Sequence, residues 1–378
     1  MDRREKATER DSWIALSAVP GIGPAGFARL VGRYGSAAAA WEVGPDAVRE
    51  LAHVREVAMT QFEDMRRIGP RQLARRLEQA TQRSGGRVVT ALDETFPPAL
   101  RTLDPRPPTL YVVGPDTVFQ ERGVAIVGTR RASGYGLSVA NELADDLARA
   151  GVVVISGLAL GIDGAAHRAA AEAGGRSIAV LPSPLDRVYP PRHRPLARDL
   201  LRAGGALVSE VAIGGALGRP DFARRNRIIA GLAEAVVVVE APDRSGALLT
   251  ASAATAIGRE LYAVPGQIDA MGSRGCNRLI ADQQATIVTS SASLLHQIGL
   301  ARSERPPTVN ALSEVEGLIL RRLLERSGSI EELVDRTRQP AASVASALAL
   351  LEARGLVNPF GGATFHTTLA AKRLAKVV

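Results

Sequence analysis

The sequence predicts an α/β protein: a doubly wound parallel sheet with an all-helical module before it and a winged-helix-like module after it. Three observations lead there. Between residues 109 and 297, short apolar runs alternate with helical patterns, the rhythm of a parallel sheet covered on both faces. Residues 1–85 carry helical patterning alone. Residues 301–308, ARSERPPT, are a polar, proline-bearing break of the kind that links domains. The expected domains are therefore 1–85, 86–300 and 309–378, with 301–308 as linker.

In the first segment, Ser12 to Ser17 open a helix and Val19 to Gly35 continue the pattern. Between them, Pro20-Gly21-Ile22-Gly23-Pro24 is a glycine-permissive turn. It resembles a helix-hairpin-helix turn, which offers backbone N–H groups to a DNA phosphate; the residues alone favour a plain packing turn. Ile68-Gly69-Pro70 repeats the theme ahead of Arg71, Arg75 and Arg76. Val88, Val89 and Ala91 suggest a short edge strand, and the prolines at 97, 98, 105, 107 and 108 make a connector that cannot be helix.

The central segment is organised around Val124–Ala140, VAIVGTRRASGYGLSVA. Val124 to Val127 read as a strand buried on both faces. Gly128, Thr129, Arg130 and Arg131 follow, and a helix begins near Leu137. A strand–loop–helix turn aims backbone N–H groups and a helix N-terminus at one spot, which favours an anion. The loop is neither a Walker A loop nor GxGxxG, so a nucleotide cofactor is a weak reading. A tight turn whose arginines face water is an equal alternative.

Further candidate strands are Tyr111–Val113, Val152–Ser156, Ser177–Leu181, Ala206–Ser209, Ala235–Glu240, Leu261–Val264 and Thr286–Thr289. Ligands bind outside the carboxyl ends of such strands, so the loops that follow them carry the information. After Ile155 comes a glycine-rich loop with Asp163 and His167 four residues apart, one face of a helix. That pair could serve general acid–base chemistry, or Asp163 caps the helix while hydrogen bonds hold His167; the second reading is favoured, since no nucleophile or metal set accompanies them. Tyr189-Pro190-Pro191 ends the loop after Leu181. The segment Arg219 to Arg227 collects four arginines, Asn226 and Phe222 at a helix start. Arginines suit successive phosphates, and Phe222, lying ahead of the apolar run, suits a base. Ser245-Gly246 opens another helix after a buried strand, a second anion nest. Cys276 reads as a packed residue rather than a nucleophile.

Composition bounds the partners. The chain has 378 residues, a formal net charge of +8 and one cysteine. The charge suits a polyanionic partner. One cysteine excludes an internal disulfide framework and CxxC zinc sites, and fits a reducing cytosol. No run of about 18 apolar residues occurs, so the expectation is a cytoplasmic protein with no membrane insertion.

VAIVGTR at 124–130, SGLALGIDGAAH at 156–167, RNRIIAGL at 225–232, SG-LLT within 245–250 and VPG at 264–266 together resemble the DprA/Smf family, the DNA-processing protein A of natural transformation. The likeness runs in order from about residue 88 to 295. It implies an extended Rossmann-type domain that binds single-stranded DNA and no dinucleotide, with an N-terminal domain of SAM or helix-hairpin-helix type. It implies RecA recombinase as partner, single-strand binding protein as a second, a homodimer, and neither cofactor, metal nor catalysis. The family's Gly-Ser-Arg phosphate loop falls on Gly128, Thr129 and Arg130, and its basic residue and stacking aromatic fall on Arg219 and Phe222. Arg224, Arg225, Asn226 and Arg227 match the arginine-rich helix start, and Ser245-Gly246 the later loop. Thr129 keeps the hydroxyl of the usual serine; Ala223, Pro182, Ser183 and Gln283-Gln284-Ala285 depart from the pattern at positions expected to lie off the DNA path. The alternative function is a nucleotide or nucleoside hydrolase on a Rossmann core, using Asp163 and His167; the PGGxGTxxE string nearest that idea is absent. A dinucleotide-dependent oxidoreductase ranks last.

In the last segment, Val315–Glu325, Ile330–Arg336 and Ala342–Arg354 read as three helices, and Val357 to Phe365 as a hairpin through Gly361-Gly362. The third helix, the DNA reader of a winged helix, has Arg354 at its end as its only cation, so base readout is not expected.

Overall fold

The computed structural model describes residues 7–45, 48–49, 56–300, 312–360, 364–368 and 371. The expected linker and the tip of the C-terminal hairpin lie outside them. The chain forms two compact units, residues 1–303 and 304–378.

The first unit begins with helices, which among the described residues include α1 Glu9–Ser17, α2 Pro24–Tyr34, α3 Ala37–Glu42, α4 Glu56–Ile68 and α5 Pro70–Arg83. Thr8 and Asp11 cap α1 reciprocally, with Asp11 N donating to Thr8 Oγ1 and Thr8 N to Asp11 Oδ2. Pro24 and Pro70 sit at helix starts, where a missing N–H costs nothing. Phe27, Leu30, Trp41 and Phe62 form the core of these helices. They are tied to the following sheet. Arg10 Nε donates to Asp93 Oδ1 (2.8 Å), Trp13 Nε1 donates to Pro108 O (2.7 Å), and Ile14 packs in one cluster with Val88 and Tyr111.

The sheet has nine strands: β1 Arg87–Thr90, β2 Thr109–Val113, β3 Gly123–Val127, β4 Val153–Ser156, β5 Ser177–Leu181, β6 Ala206–Ser209, β7 Ala235–Val238, β8 Glu260–Ala263 and β9 Thr286–Ile287, in the order β1-β2-β6-β5-β4-β3-β7-β8-β9. From β3 to β9 neighbours are parallel, while β1 with β2 and β2 with β6 are antiparallel. The sequence reading placed β2 in the parallel set. The proline-bearing connector between β1 and β2 supplies only a single 3₁₀ turn, Pro98–Leu100, and a parallel return needs a longer crossover.

Helices cover both faces: α6 Gly134–Arg149, α7 Ile162–Glu172, α8 Arg194–Arg202, α9 Arg219–Leu232, α10 Gly246–Ala256, α11 Arg274–Ala281 and α12 Ser291–Gln297. Strand β3 shows why. Ala125 and Val127 join one core with Ile228, Ile229 and Ala251; Val124 and Ile126 join the other with Leu143, Ile162 and Leu294. Successive side chains point to opposite faces, so a strand apolar at every position must be covered twice. The chain leaves β3 through α6 to β4 on one flank, and β7 later pairs with the other flank. The carboxyl ends of β3 and β7 thus bound the crevice where such sheets hold ligands.

The second unit runs α13 Glu314–Glu325, β10 Gly328–Ser329, α14 Ile330–Thr337, α15 Ala341–Ala353, β11 Val357–Phe360 and β12 Thr364–Thr367. That is the element order of a winged helix. Ser313 with Glu316 and Ser329 with Glu332 cap α13 and α14. Ile319, Leu323, Leu333, Val344, Leu348 and Leu351 form its core. The solvent face of α15 presents Ala342, Ala345, Ser346, Ala349 and Leu350 and no cation.

Among the described residues, no helix is long and apolar enough to cross a membrane.

Candidate nucleic-acid interface

The loop after β3 is held from below. Thr129 N donates to Glu240 O (2.7 Å), and Ile162 N donates to Thr129 O (3.2 Å). Arg131 N donates to Thr129 Oγ1 (3.2 Å), so the Thr129 hydroxyl braces its own turn. The buried Glu240 carboxylate accepts from both N and Oγ of Ser133 (2.9 and 3.0 Å), and Ser133 in turn caps α6. A side chain at Gly128 would collide with Ile162 and with Glu240 O. Gly161, at φ 78°, lies so close to Thr129 O that it has no room for a Cβ. With its backbone fixed this way, the loop sends Arg130 and Arg131 into solvent.

Arg130 and Phe222 meet at the rim. The Arg130 Cζ lies 5.0 Å from the Phe222 ring centroid, within cation–π range. Phe222 also meets Tyr189 edge to face, with centroids 5.6 Å apart at 80°. The sequence reading passed over Tyr189, although an aromatic in the loop after β5 lies at the carboxyl rim by the same topology rule that picked out the others. Phe222 is only half-buried because it precedes the inward stripe Ile228–Ile229–Leu232 of α9.

Arg225 lies deeper. It is buried; its Nη1 donates to Val180 O (2.6 Å), and its guanidinium fills the space that a side chain at Gly157 would take. Burial pushes its pKa down to about 10 against the opposing pull of Asp163, and the positive charge of Arg130 lowers it further. Asp163 accepts from the N–H groups of Gly157, Ala159 and Gly128; burial, working against Arg225 and these bonds, still raises its pKa. It does not cap α7, whose N-cap is Gly161. Instead it gathers two loop backbones around one carboxylate. His167 is wholly buried. Its Nε2 accepts from Leu158 N (3.3 Å), and its Nδ1 meets Ser177 Oγ (2.7 Å), which donates to Val154 O. Ser177 gives its proton to the carbonyl, so Nδ1 carries the imidazole proton. Burial, then His193 and Arg225, push the His167 pKa down to about 3. Both members of the Asp163–His167 pair thus hold backbone groups, and Asp163 also lines the crevice.

The rest of α9 divides by helical angle. Arg219 is exposed, and Arg224 pairs with Asp221 at 3.5 Å. Asp221 also accepts from Gly218 N at the helix start. Asn226 is buried, and its Nδ2 donates to Gly246 O (3.2 Å), which ties α9 to the start of α10. Arg227 points away from the crevice, where Pro105 O and Glu210 hold its guanidinium. Of the candidates Arg225, Asn226 and Arg227, the first two line the crevice from within its wall and the third turns to Pro105 and Glu210. At 100° per residue three consecutive side chains cannot share one exposed face, and each of these three also makes a hydrogen bond that supports the fold.

The crevice between β3 and β7 has a volume of about 410 Å³. Gly128 to Arg131 form one wall, Phe222, Ala223 and Arg225 another, and Arg244 to Ala247 with Leu249 the third. Ser245 Oγ caps Ala247 N as α10 opens toward it. A smaller recess of about 40 Å³ lies between Arg130, Tyr189, Phe222 and Pro182. Of the residues expected to lie off the path, Pro182 lines this recess and Ala223 the larger crevice. Cys276 is buried against Val238 O, and burial drives its thiol up to about 12. Among the described residues, no cluster of His, Cys, Asp and Glu is arranged to hold a metal ion.

Comparison with known proteins agrees with this architecture. Residues 87–299 match the family described as DNA recombination-mediator protein A, and residues 7–78 match the DprA-like N-terminal HHH domain. The chain is 39% identical to Protein Smf of Escherichia coli, over 73% of this chain and 76% of that one. DNA processing protein A of Streptococcus pneumoniae superposes with a TM-score of 0.62 at 27% identity, covering 80% of this chain and all of that one (100%). DNA processing protein A of Helicobacter pylori, solved to describe its single-stranded DNA binding mode, superposes with a TM-score of 0.52 at 28% identity, covering 57% of this chain and 97% of that one.

Proposed function

The chain belongs to the DNA recombination-mediator protein A family, and from that premise we propose that it binds single-stranded DNA without sequence preference and passes it to a RecA recombinase. The observation that carries this reading is the rim of the crevice. There an exposed Arg130 stacks on a half-buried Phe222, and the buried Arg225 lines the same recess as both. Two cations placed together repel, and a phosphate between the loop and α9 relieves that repulsion. An aromatic ring beside a phosphate seat suits any base, since every base has a π-face.

In this reading Gly128, Thr129 and Arg130 seat one phosphate, with Ser245-Gly246 at the opposite wall. Phe222 supports a base, and Arg219 and Arg224 steer the strand along α9. Arg225 and Asn226 hold the walls, and Arg227 anchors α9 from outside the path. The protein works as a cytoplasmic homodimer and makes or breaks no bond. Titration with labelled oligothymidylate tests this: binding should weaken steeply as salt rises, and duplex of equal length should compete poorly. Equal competition by duplex, or release of product from nucleotides incubated with the pure protein, refutes it.

A further inference from the structure

We infer that the single strand continues past the crevice onto a second, apolar ledge built by Tyr135, Ile268 and Met271, and that its bases rest there. The inference builds on the crevice reading above. Ile268 is 90% exposed and Met271 70% exposed, the two most exposed large hydrophobic side chains among the described residues, and Tyr135 is 49% exposed. Exposed apolar side chains this close in sequence, on one surface loop, mark a contact site more often than chance scatter.

The ledge is rigid. Tyr135 OH donates to Pro265 O (2.8 Å). Asn277 closes the start of the loop, accepting from Gly266 N and donating to Gly266 O, both at 3.0 Å. The end is fixed by Ser273 N on Ala270 O (3.0 Å) and by Gly275 N on Ala241 O (2.8 Å). Gly272 packs so tightly on the Glu240 carboxylate that a side chain there has no room. Glu240 is the same residue that clamps Thr129 and Ser133. One buried carboxylate therefore sets both the phosphate loop and the loop that carries the ledge. Little conformational entropy is lost when a strand settles on such a surface.

The chemistry selects bases over a protein helix or a second copy. Arg131, just before Tyr135 in the chain, and Arg274, just after Met271, are exposed and suit phosphates. Asp269, exposed between Ile268 and Met271, repels a phosphate but accepts a hydrogen bond from a base amino or imino group. Exposed apolar side chains with cations flanking them in the chain thus match a polymer whose bases and phosphates separate to opposite sides.

Lengths of DNA separate the two surfaces. Oligothymidylates of about 6 and about 20 nucleotides are titrated against the full chain, Ile268→Ala/Met271→Ala, and Arg130→Ala. Both replaced residues of the double variant are exposed, so thermal unfolding should match the native chain. The double variant should bind the short oligomer like the native chain and the long one about tenfold or more weakly. Ile268→Trp should add fluorescence that the long oligomer quenches and the short one does not. Unchanged affinity for the long oligomer, or no quenching, overturns the ledge while leaving the crevice reading intact. Loss of RecA association with both DNA affinities unchanged would make the ledge a protein surface and also overturn the inference. If Arg130→Ala leaves the short oligomer bound as before, the crevice reading is the one that falls.

Discussion

Arg225→Ala removes a guanidinium that donates to Val180 O and faces the buried Asp163 carboxylate. What remains is a carboxylate with three backbone donors and no counter-charge. Deleting one partner of a buried charge pair costs about 3–5 kcal/mol, a large share of the roughly 5–15 kcal/mol that holds a domain together. Urea unfolding followed by tryptophan fluorescence reads this directly, because the two tryptophans, Trp13 and Trp41, both lie in the first unit. The pH dependence gives a second, sharper signature. Burial already holds the Asp163 pKa above the ordinary carboxylate range, and Arg225 opposes that rise. Without Arg225 the pKa climbs further, so the folded variant takes up a proton that the unfolded chain releases. Its stability relative to the native chain should therefore recover as pH falls from about 7 toward about 5. A deficit under about 1 kcal/mol, or one that grows on acidification, refutes the buried-pair argument. Full stability with lost DNA binding would instead make Arg225 a direct phosphate ligand.

Other perturbations probe separate parts of the molecule. The folded pKa of His167, near 3, lies below its ordinary value of 6.5, so the stability it contributes is present above about 6.5 and drains away as pH falls toward 3; His167→Gln should flatten acid unfolding across that window, and an unchanged profile contradicts the assignment. Gly157→Ala would push a methyl group into the Arg225 guanidinium and should lose roughly as much stability as Arg225→Ala, with little further loss when the two are combined. Arg354 pairs with the buried Glu316 at 3.5 Å, so Arg354→Ala should lower the melting temperature of the second unit and leave oligothymidylate affinity unchanged. Arg338 ends α14 in the left-handed region at φ 58°, and Arg338→Gly should stabilise the same unit by about 0.5–1 kcal/mol in calorimetry.

The strand cores and the loops that matter were legible because they follow from periodicity and glycine placement. Val124–Val127 had no polar position, which forces cover on both faces, and Gly128 marked the turn that brings Arg130 to the rim. Phe222 stood out because it falls ahead of the apolar stripe of its helix. What the sequence hid were pairings across distance. Nothing local distinguishes Arg225, which turns inward to Val180, from Arg224, which stays at the surface beside Asp221; only the docking of α9 on the sheet decides. Tyr189 joins Phe222 through space, 33 positions away along the chain. Glu240, at the end of an apolar run, gave no sign that it would clamp Ser133 on another loop. The antiparallel placement of β2 depended on the missing crossover helix rather than on any residue within the strand.

The phosphate seat and its neighbouring ring are tested most directly by one titration: labelled oligothymidylate against the native chain, Arg130→Ala and Phe222→Ala under the same salt. Loss of about 1–3 kcal/mol of binding in each variant, with folding intact, is the result expected from one charge-assisted phosphate bond and one stacked base. Native affinity in both variants would place the strand elsewhere on the molecule.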